Sequence, residues 1–373
     1  METIGVVGLG AMGLGIAQVY AQAGFAVRAT DARAEARDGA LTRLREGLLP
    51  RVTAGKLSEA NLAAMLAMIT IVETPAAIGP VAMIVEAIIE DMDAKRALWA
   101  VLERAVGPDC LLASNTSALS VTAMAESVER PERLLGLHFF NPAPVMKLVE
   151  LVGHGGTSPQ ALTTARRLTE AAGKTVIACA DRPGFIVNRC ARPFYGEALA
   201  LLEEGRWASD IDAAMLAAGY RMGPLSLIDL VGADINLAAT EGLARGMGNH
   251  PRYHVFEVLR AQVARGDLGR KSGRGFLWPA VPGTPPADAE AIAARIEAML
   301  ANEAATLIAE GSVTAADVDT ALRLGLNFPR GPIESLRLRG FPQILLLLES
   351  LKQTAPTQLR GRYDPAPNLK ELA

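Results

Sequence analysis

Cysteine, histidine and net charge are all scarce in this sequence, and each scarcity excludes something. Its 373 residues include three cysteines and four histidines. Cys110, Cys179 and Cys190 are odd in number and widely spaced, so neither a disulfide framework nor a metal-ligand spacing is expected. A net charge of −3 gives no general attraction to nucleic acid. No apolar run approaches the roughly 18 residues that span a bilayer. Glu2 sits where a secretory signal would carry positive charge, and the first apolar segment follows at once, so no such signal is expected. No segment has the composition of a disordered chain. These absences leave a cytoplasmic, globular protein of two or three domains, with no membrane, nucleic-acid or metal partner. Apolar residues are plentiful, at 50%, enough for a sizeable core.

Apolar periodicity organises the chain. Residues 3–8 read as a short buried strand, 12–23 as a helix and 27–30 as a second strand. Residues 33–68 read as helical with a break at 50–55. Further strands are predicted at 81–85, 111–113, 134–139 and 147–152, with helices between them, as at 93–105. Such alternation implies a parallel, doubly wound sheet, an α/β Rossmann-type domain over residues 1–182. After Asp181-Arg182-Pro183-Gly184 the pattern turns helical. It predicts a first helical domain over 183–278, a linker at 279–287 rich in proline, and a second helical segment over 288–373 with an irregular tail after Thr354.

The all-α region repeats itself. Glu197-Ala198, Leu201, Glu204-Gly205, Asp210, Asp212, Gly223-Pro224 and Gly232 recur as Glu303-Ala304, Leu307, Glu310-Gly311, Asp317, Asp319, Gly331-Pro332 and Gly340. The offset drifts from 106 to 108 residues, as two small insertions would cause. Asn188-Arg189 aligns with Ala294-Arg295, so the second, abbreviated copy keeps the arginine and loses the amide.

Gly8-Leu9-Gly10-Ala11-Met12-Gly13 is a G-x-G-x-x-G. It is weak alone, but here it ends an apolar strand and opens a helix, the context a dinucleotide site requires. Gly8 permits the tight turn, Gly10 lets backbone approach a pyrophosphate, and Gly13 lets helix and strand pack closely. The helix start offers its N–H groups to phosphate. Asp31 ends the next strand, 18 residues after Gly13. A carboxylate there accepts from ribose hydroxyls and repels a 2′-phosphate, favouring NAD over NADP, although Arg28 and Arg33 flank it. Glu90 and Ser114-Asn115-Thr116-Ser117 each follow a strand. They could orient a ligand at the sheet edge, or serve only as helix-start and capping residues. His138 lies in an apolar strand with Glu150 12 residues on. An imidazole can take a proton from an alcohol as hydride leaves its carbon, and a carboxylate on its other nitrogen fixes the tautomer. The competing reading is a satisfied core histidine. His154 sits in a Gly-Gly loop, and His250 and His254 lie around Pro251. By elimination a catalytic histidine here would be His138.

In this combination the sequence resembles the L-3-hydroxyacyl-CoA dehydrogenases, bacterial 3-hydroxybutyryl-CoA dehydrogenases among them. The resemblance is carried by the glycine turn with Met12-Gly13, Val85-Glu86-Ala87 with Glu90, and Ser114 to Ser117. It continues through His138-Phe139-Phe140-Asn141-Pro142 with Lys147 to Glu150, Pro183-Gly184-Phe185 with Asn188-Arg189, Gly223-Pro224, and Gly269 to Gly273 with Gly275-Phe276. It covers about residues 3–278. It implies reversible, NAD-dependent oxidation of a 3-hydroxyacyl-CoA, in fatty-acid or aromatic-acid catabolism. His138 would be the general base, Glu150 its partner, and Ser117 and Asn188 would hold the hydroxyl and thioester region. Gly8, Gly10, Ala11, Met12, Gly13 and Asp31 would bind NAD. Glu90, Lys95, Ser117, Asn141 and Lys271 would line its nicotinamide side. Shorter members end near Gly275-Phe276 and dimerise through the helical domain. The extra copy leaves two states open, a homodimer or a monomer in which the copy stands for a partner's domain. Two rivals share the motifs: an L-gulonate-type sugar-acid dehydrogenase, and a non-catalytic, crystallin-like NAD-binding protein. The segment from Phe139 to Lys147 looks more like the acyl-CoA branch.

Overall fold

The computed structural model describes residues 2–373, and the chain divides into two compact units between Arg182 and Pro183. In the first unit eight strands form one sheet: β1 (Thr3–Val7), β2 (Ala26–Thr30), β3 (Ile69–Ile71), β4 (Met83–Glu86), β5 (Leu111–Ser114), β6 (Leu134–Phe139), β7 (Leu148–Gly153) and β8 (Thr175–Ala180). Their spatial order is β3-β2-β1-β4-β5-β6-β7-β8. The winding reverses between β1 and β4, which opens a crevice beyond the carboxyl ends of the strands. Gly8, Asp31, Ala87 and Asn115 each follow directly from one of those ends.

One pair departs from the parallel pattern. β6 and β7 run antiparallel, with His138 directly opposite Glu150. Residues 140–147 alone connect them, and a parallel crossover needs about a dozen residues or more. The strands β3 and β8 also go beyond the sequence reading. Both are edge strands. β3 has three residues, too few to show a period. The break expected at 50–55 begins at Ala54: Pro50 stays inside the helix Ala40–Thr53, and Ser58 caps the next helix by accepting from the amide of Asn61. Branched and aromatic side chains of β1, β2, β4 to β7 and the helix Ala11–Gln22 bury one continuous core.

The second unit contains two runs of helices in the same order. The helices Arg192–Glu203, Ala208–Ala217, Pro224–Val231 and Ala233–Gly246 are followed by Ala289–Ala309, Ala315–Leu326, Pro332–Arg339 and Phe341–Thr354. The repeated residues explain themselves locally. Asp212 accepts from the amides of Leu225 and Ser226 at 2.9 and 2.7 Å. Asp319 does the same for Ile333 and Glu334 at 2.8 and 3.2 Å. Any side chain at Gly223 or Gly331 would collide with those carboxylates.

The copies also exchange partners. Arg189 binds Glu303 and Glu310, while Arg295 binds Glu197 and Glu204. Tyr253 and Arg252 of the first copy reach Glu303, and Tyr363 and Arg362 of the second reach Glu197. Glu197 and Glu303 are fully buried. Burial pushes the Glu197 carboxyl up, but Arg362 and Arg295 outweigh it and hold the group below the usual carboxylate range. The tail is therefore not irregular: Thr357–Tyr363 forms a 3₁₀ turn that delivers Arg362 and Tyr363 to this network.

Candidate active site

Most of the first unit's predicted site residues lie at a strand end or just past one; Lys95 lies in the helix Met92–Ala105 and Glu150 within β7. The glycine turn is built as its spacing requires. Gly8 has φ of 97°, and a Cβ there would run into the Ala87 carbonyl. A Cβ at Gly13 would strike the Gly8 carbonyl, so helix and turn touch backbone to backbone. A Cβ at Gly10 would meet nothing within 4 Å. The helix Ala11–Gln22 has no side-chain cap and no acidic residue in its first turn. Ala11 and Met12 open it, and its first amides are available to an anion, which fits a dinucleotide's pyrophosphate. Asp31 accepts from the amides of Leu9 and Arg33 at 2.8 and 2.9 Å and from the Arg33 guanidinium at 3.4 Å. Burial raises its pKa, but those donors prevail and hold it below the usual carboxylate range. Asp31 is thus ionised at neutral pH and fastens the glycine turn to the end of β2.

Glu86, which the sequence reading noted in Val85-Glu86-Ala87 without giving it a site role, organises the next strand ends. It is fully buried and accepts from Lys95 Nζ at 2.5 Å, Ser114 Oγ at 2.6 Å and the Ile88 amide at 2.8 Å. Lys95 is fully buried. Its second contact is Glu90, at 3.4 Å. Glu90 is partly exposed and accepts from Thr116 Oγ1 at 2.7 Å, the Ser117 amide at 2.8 Å and Ser117 Oγ at 3.3 Å. Burial pushes Glu90 up, but the Thr116 hydroxyl, Lys95 and the Ser117 amide hold it below the usual range. Glu90 therefore acts as a charged clasp on Ser117 more than as a helix-start residue. Thr116 Oγ1 accepts from the Leu119 amide at 2.9 Å, while the next helix, Val121–Ala125, is capped by Ser120 and not by any residue of 114–117.

His138 and Glu150 meet because their strands pair residue to residue. Nδ1 of His138 lies 2.6 Å from Glu150 Oε2, and both side chains are buried. Phe140 packs its ring 4.4 Å from the imidazole. Asn115 ties the neighbouring strand end in place by accepting from the Phe139 amide at 2.8 Å. Asn141 is exposed just past β6. This arrangement can hold a neutral imidazole in one tautomer and stabilise its protonated form.

Asn188 and Lys271 belong to the second unit. Asn188 lies in the short helix Val187–Cys190. Lys271 pairs with Asp234 at 2.5 Å. The glycines around Lys271 have a structural cause: Gly269 and Gly275 pack so closely on Asp229 that no side chain would fit. Asp229 accepts from the amides of Phe276, Leu277 and Trp278, each at 2.8 Å. Among the described residues no group of His, Cys, Asp or Glu could hold a metal ion, and no helix is long and apolar enough to cross a membrane.

Known proteins resemble this chain along its whole length. The model for the "3-hydroxyacyl-CoA dehydrogenase, NAD binding domain" matches residues 3–182, and that for the same enzymes' C-terminal domain matches 184–278 and again 292–373. A 3-hydroxyadipyl-CoA dehydrogenase of Escherichia coli K12 is 33% identical, over 100% of this chain and 98% of that one. A probable 3-hydroxybutyryl-CoA dehydrogenase of Bacillus subtilis is 40% identical over 74% of this chain and 96% of its own length. The crystal structure of a 3-hydroxybutyryl-CoA dehydrogenase from E. coli K12 superposes with a TM-score of 0.92 at 32% identity, covering 99% of this chain and 98% of that one.

Proposed function

Because the chain belongs to the 3-hydroxyacyl-CoA dehydrogenase family, we propose that His138 and Glu150 carry out the proton transfer of an NAD-dependent oxidation of (S)-3-hydroxyacyl-CoA to 3-oxoacyl-CoA. The observation that carries this reading is the buried 2.6 Å contact between Nδ1 and the carboxylate. With Nδ1 bearing the proton, Nε2 is the basic nitrogen and takes the hydroxyl proton. Glu150 offsets the charge the imidazole then acquires. NAD, when bound, accepts the hydride from the substrate carbon. Gly8, Gly10, Ala11, Met12 and Gly13 receive its pyrophosphate, and Asp31 its ribose. To its nicotinamide side we assign Glu90, Lys95, Ser117, Asn141 and Lys271, as the family resemblance implies. Ser117 and Asn188 orient the hydroxyl and thioester region. The oxidation is reversible, since the same imidazole returns its proton to the alkoxide when NADH reduces the ketone.

The relatives are named for butyryl and for adipyl acyl groups, and the reaction class is common to both. All three cysteines are free and buried, in keeping with a cytoplasmic enzyme. The second helical copy satisfies the buried charges of the first, so we read the chain as needing no second chain to cover that face.

Oxidation of NADH at 340 nm with acetoacetyl-CoA, run beside NADPH, tests the reading. Fast turnover with NADH is expected, and slow turnover with NADPH. Absence of turnover on any acyl-CoA, with NADH binding intact, would overturn it.

A further inference from the structure

Among the described residues, the second unit contains one buried cation that no carboxylate neutralises. Arg192 opens the helix Arg192–Glu203, four residues and about one helical turn beyond Asn188. Its side chain is nine-tenths buried. Nε donates to the Asn188 carbonyl at 3.2 Å and Nη1 to the Thr240 hydroxyl at 3.0 Å. The Thr240 hydroxyl in turn donates to the Asn236 carbonyl at 2.7 Å. The guanidinium carbon lies 4.8 Å from the Tyr195 ring centre. Nη2 has no hydrogen-bond partner among the described residues, and it is not sealed from solvent. Arg189, Arg252, Arg295 and Arg362 are all tied to buried glutamates. Arg192 is not, and burial pulls its pKa down, with only Tyr195 opposing.

A buried charge without a counter-charge is costly, and the repeat shows that the scaffold does not need this one. At the offsets that relate the two copies, Arg192 corresponds to Ala298, Asn236 to Ile344 and Thr240 to Leu348. Those three are fully or almost fully buried. The polar trio exists only in the copy that also has Asn188. In the other copy, where Ala294 replaces that amide, the same interior positions are apolar.

We propose that Arg192 receives a carboxylate at the far end of the acyl chain, so that the enzyme's preferred substrates are dicarboxylic 3-hydroxyacyl-CoA thioesters. This rests on the proposed function, in which Asn188 one turn away meets the substrate. A guanidinium fork with unused N–H groups suits a planar carboxylate better than any other common acyl terminus. The ligand supplies the counter-charge that the protein omits.

The test compares kcat/KM for 3-hydroxyadipyl-CoA and 3-hydroxyhexanoyl-CoA, two six-carbon substrates that differ at the far end alone. The wild type should prefer the dicarboxylic one by roughly 10–100-fold, the value of a charge-assisted contact. Arg192→Met should bring the ratio close to one, with the loss in KM rather than kcat, and Arg192→Lys should restore part of it. Equal kcat/KM for both substrates in the wild type would overturn the proposal, even if the variants fail to fold. So would an Arg192→Met variant that loses both activities in equal proportion. Failure of the wild type on both substrates and on 3-hydroxybutyryl-CoA would overturn the dehydrogenase reading itself, a result distinct from either.

Discussion

The two helical copies hold each other by the same residues and share the aspartate caps Asp212 and Asp319, yet differ at a set of other polar positions. Arg189 and Arg295 reach across to Glu303 and Glu197, and Tyr253 and Tyr363 do likewise. At several other equivalent positions the copies part. Asn188, Arg192, Asn236 and Thr240 become Ala294, Ala298, Ile344 and Leu348. Asp229, which gathers three amides of the loop after Gly275, becomes Arg337, which donates instead to the Leu372 carbonyl at 3.0 Å. A duplicated domain keeps what the mutual interface demands and releases what a ligand demanded. Asp229 has a structural role of its own, so among the polar residues that survive in only one copy Asn188 and Arg192 are the ones to test for substrate contact.

The comparison can be scaled against a change outside both copies. His138→Gln should lower kcat by about 10²–10⁴-fold with little change in NADH affinity, read by steady-state rates and fluorescence titration; near-normal turnover would remove His138 from the base role. Next come the shared glutamates. Glu197→Gln and Glu303→Gln should each cost the second unit about 3–5 kcal/mol, because each strands buried arginines. Urea unfolding should find the two losses similar, and a silent change at one of them would break the symmetry claimed here. Asn188→Ala makes the first copy like the second. It should reduce kcat/KM about 10–100-fold, as one lost hydrogen bond to the reacting region does, without moving the unfolding midpoint. Ala294→Asn should change neither. The smallest effect concerns acid. The folded-state pKa of Glu197 is lowered, so its contribution is complete above its ordinary value of 4.5 and is lost as pH falls through the lower folded value. Stability of Glu197→Gln should consequently depend less on pH below about 4.5 than that of the wild type, followed by acid titration of the unfolding midpoint.

Much of this was legible in the sequence, for identifiable reasons. Local geometry announces itself: Gly8, Gly10 and Gly13 stand where backbone comes close to backbone or to open space, and Asp31 directly follows its strand. The repeat disclosed Arg295 and the shared glutamates because identical residues recur at a nearly fixed offset. The role of Glu86 stayed hidden, since a buried carboxylate that organises Lys95 and Ser114 looks in sequence like any acid at a strand end. The pairing of Arg252-Tyr253 with Arg362-Tyr363 was missed as well. It falls at an offset of 110 residues, in segments whose periodicity is short and 3₁₀-like. The antiparallel turn between β6 and β7 was implicit in the eight residues that separate them, but the alternation of strands and helices elsewhere suggested a uniform sheet.

That one antiparallel pair makes the catalytic alignment a matter of counting. His138 faces Glu150 because residues 140–147 return the chain in a single register, and a slip of one residue would turn either side chain to the opposite face. For anyone recombining such enzymes, the smallest portable block of chemistry is the stretch from Leu134 to Gly153, moved whole. Crossovers inside it, or loops shortened by a single residue, would yield proteins that fold around a misaligned dyad.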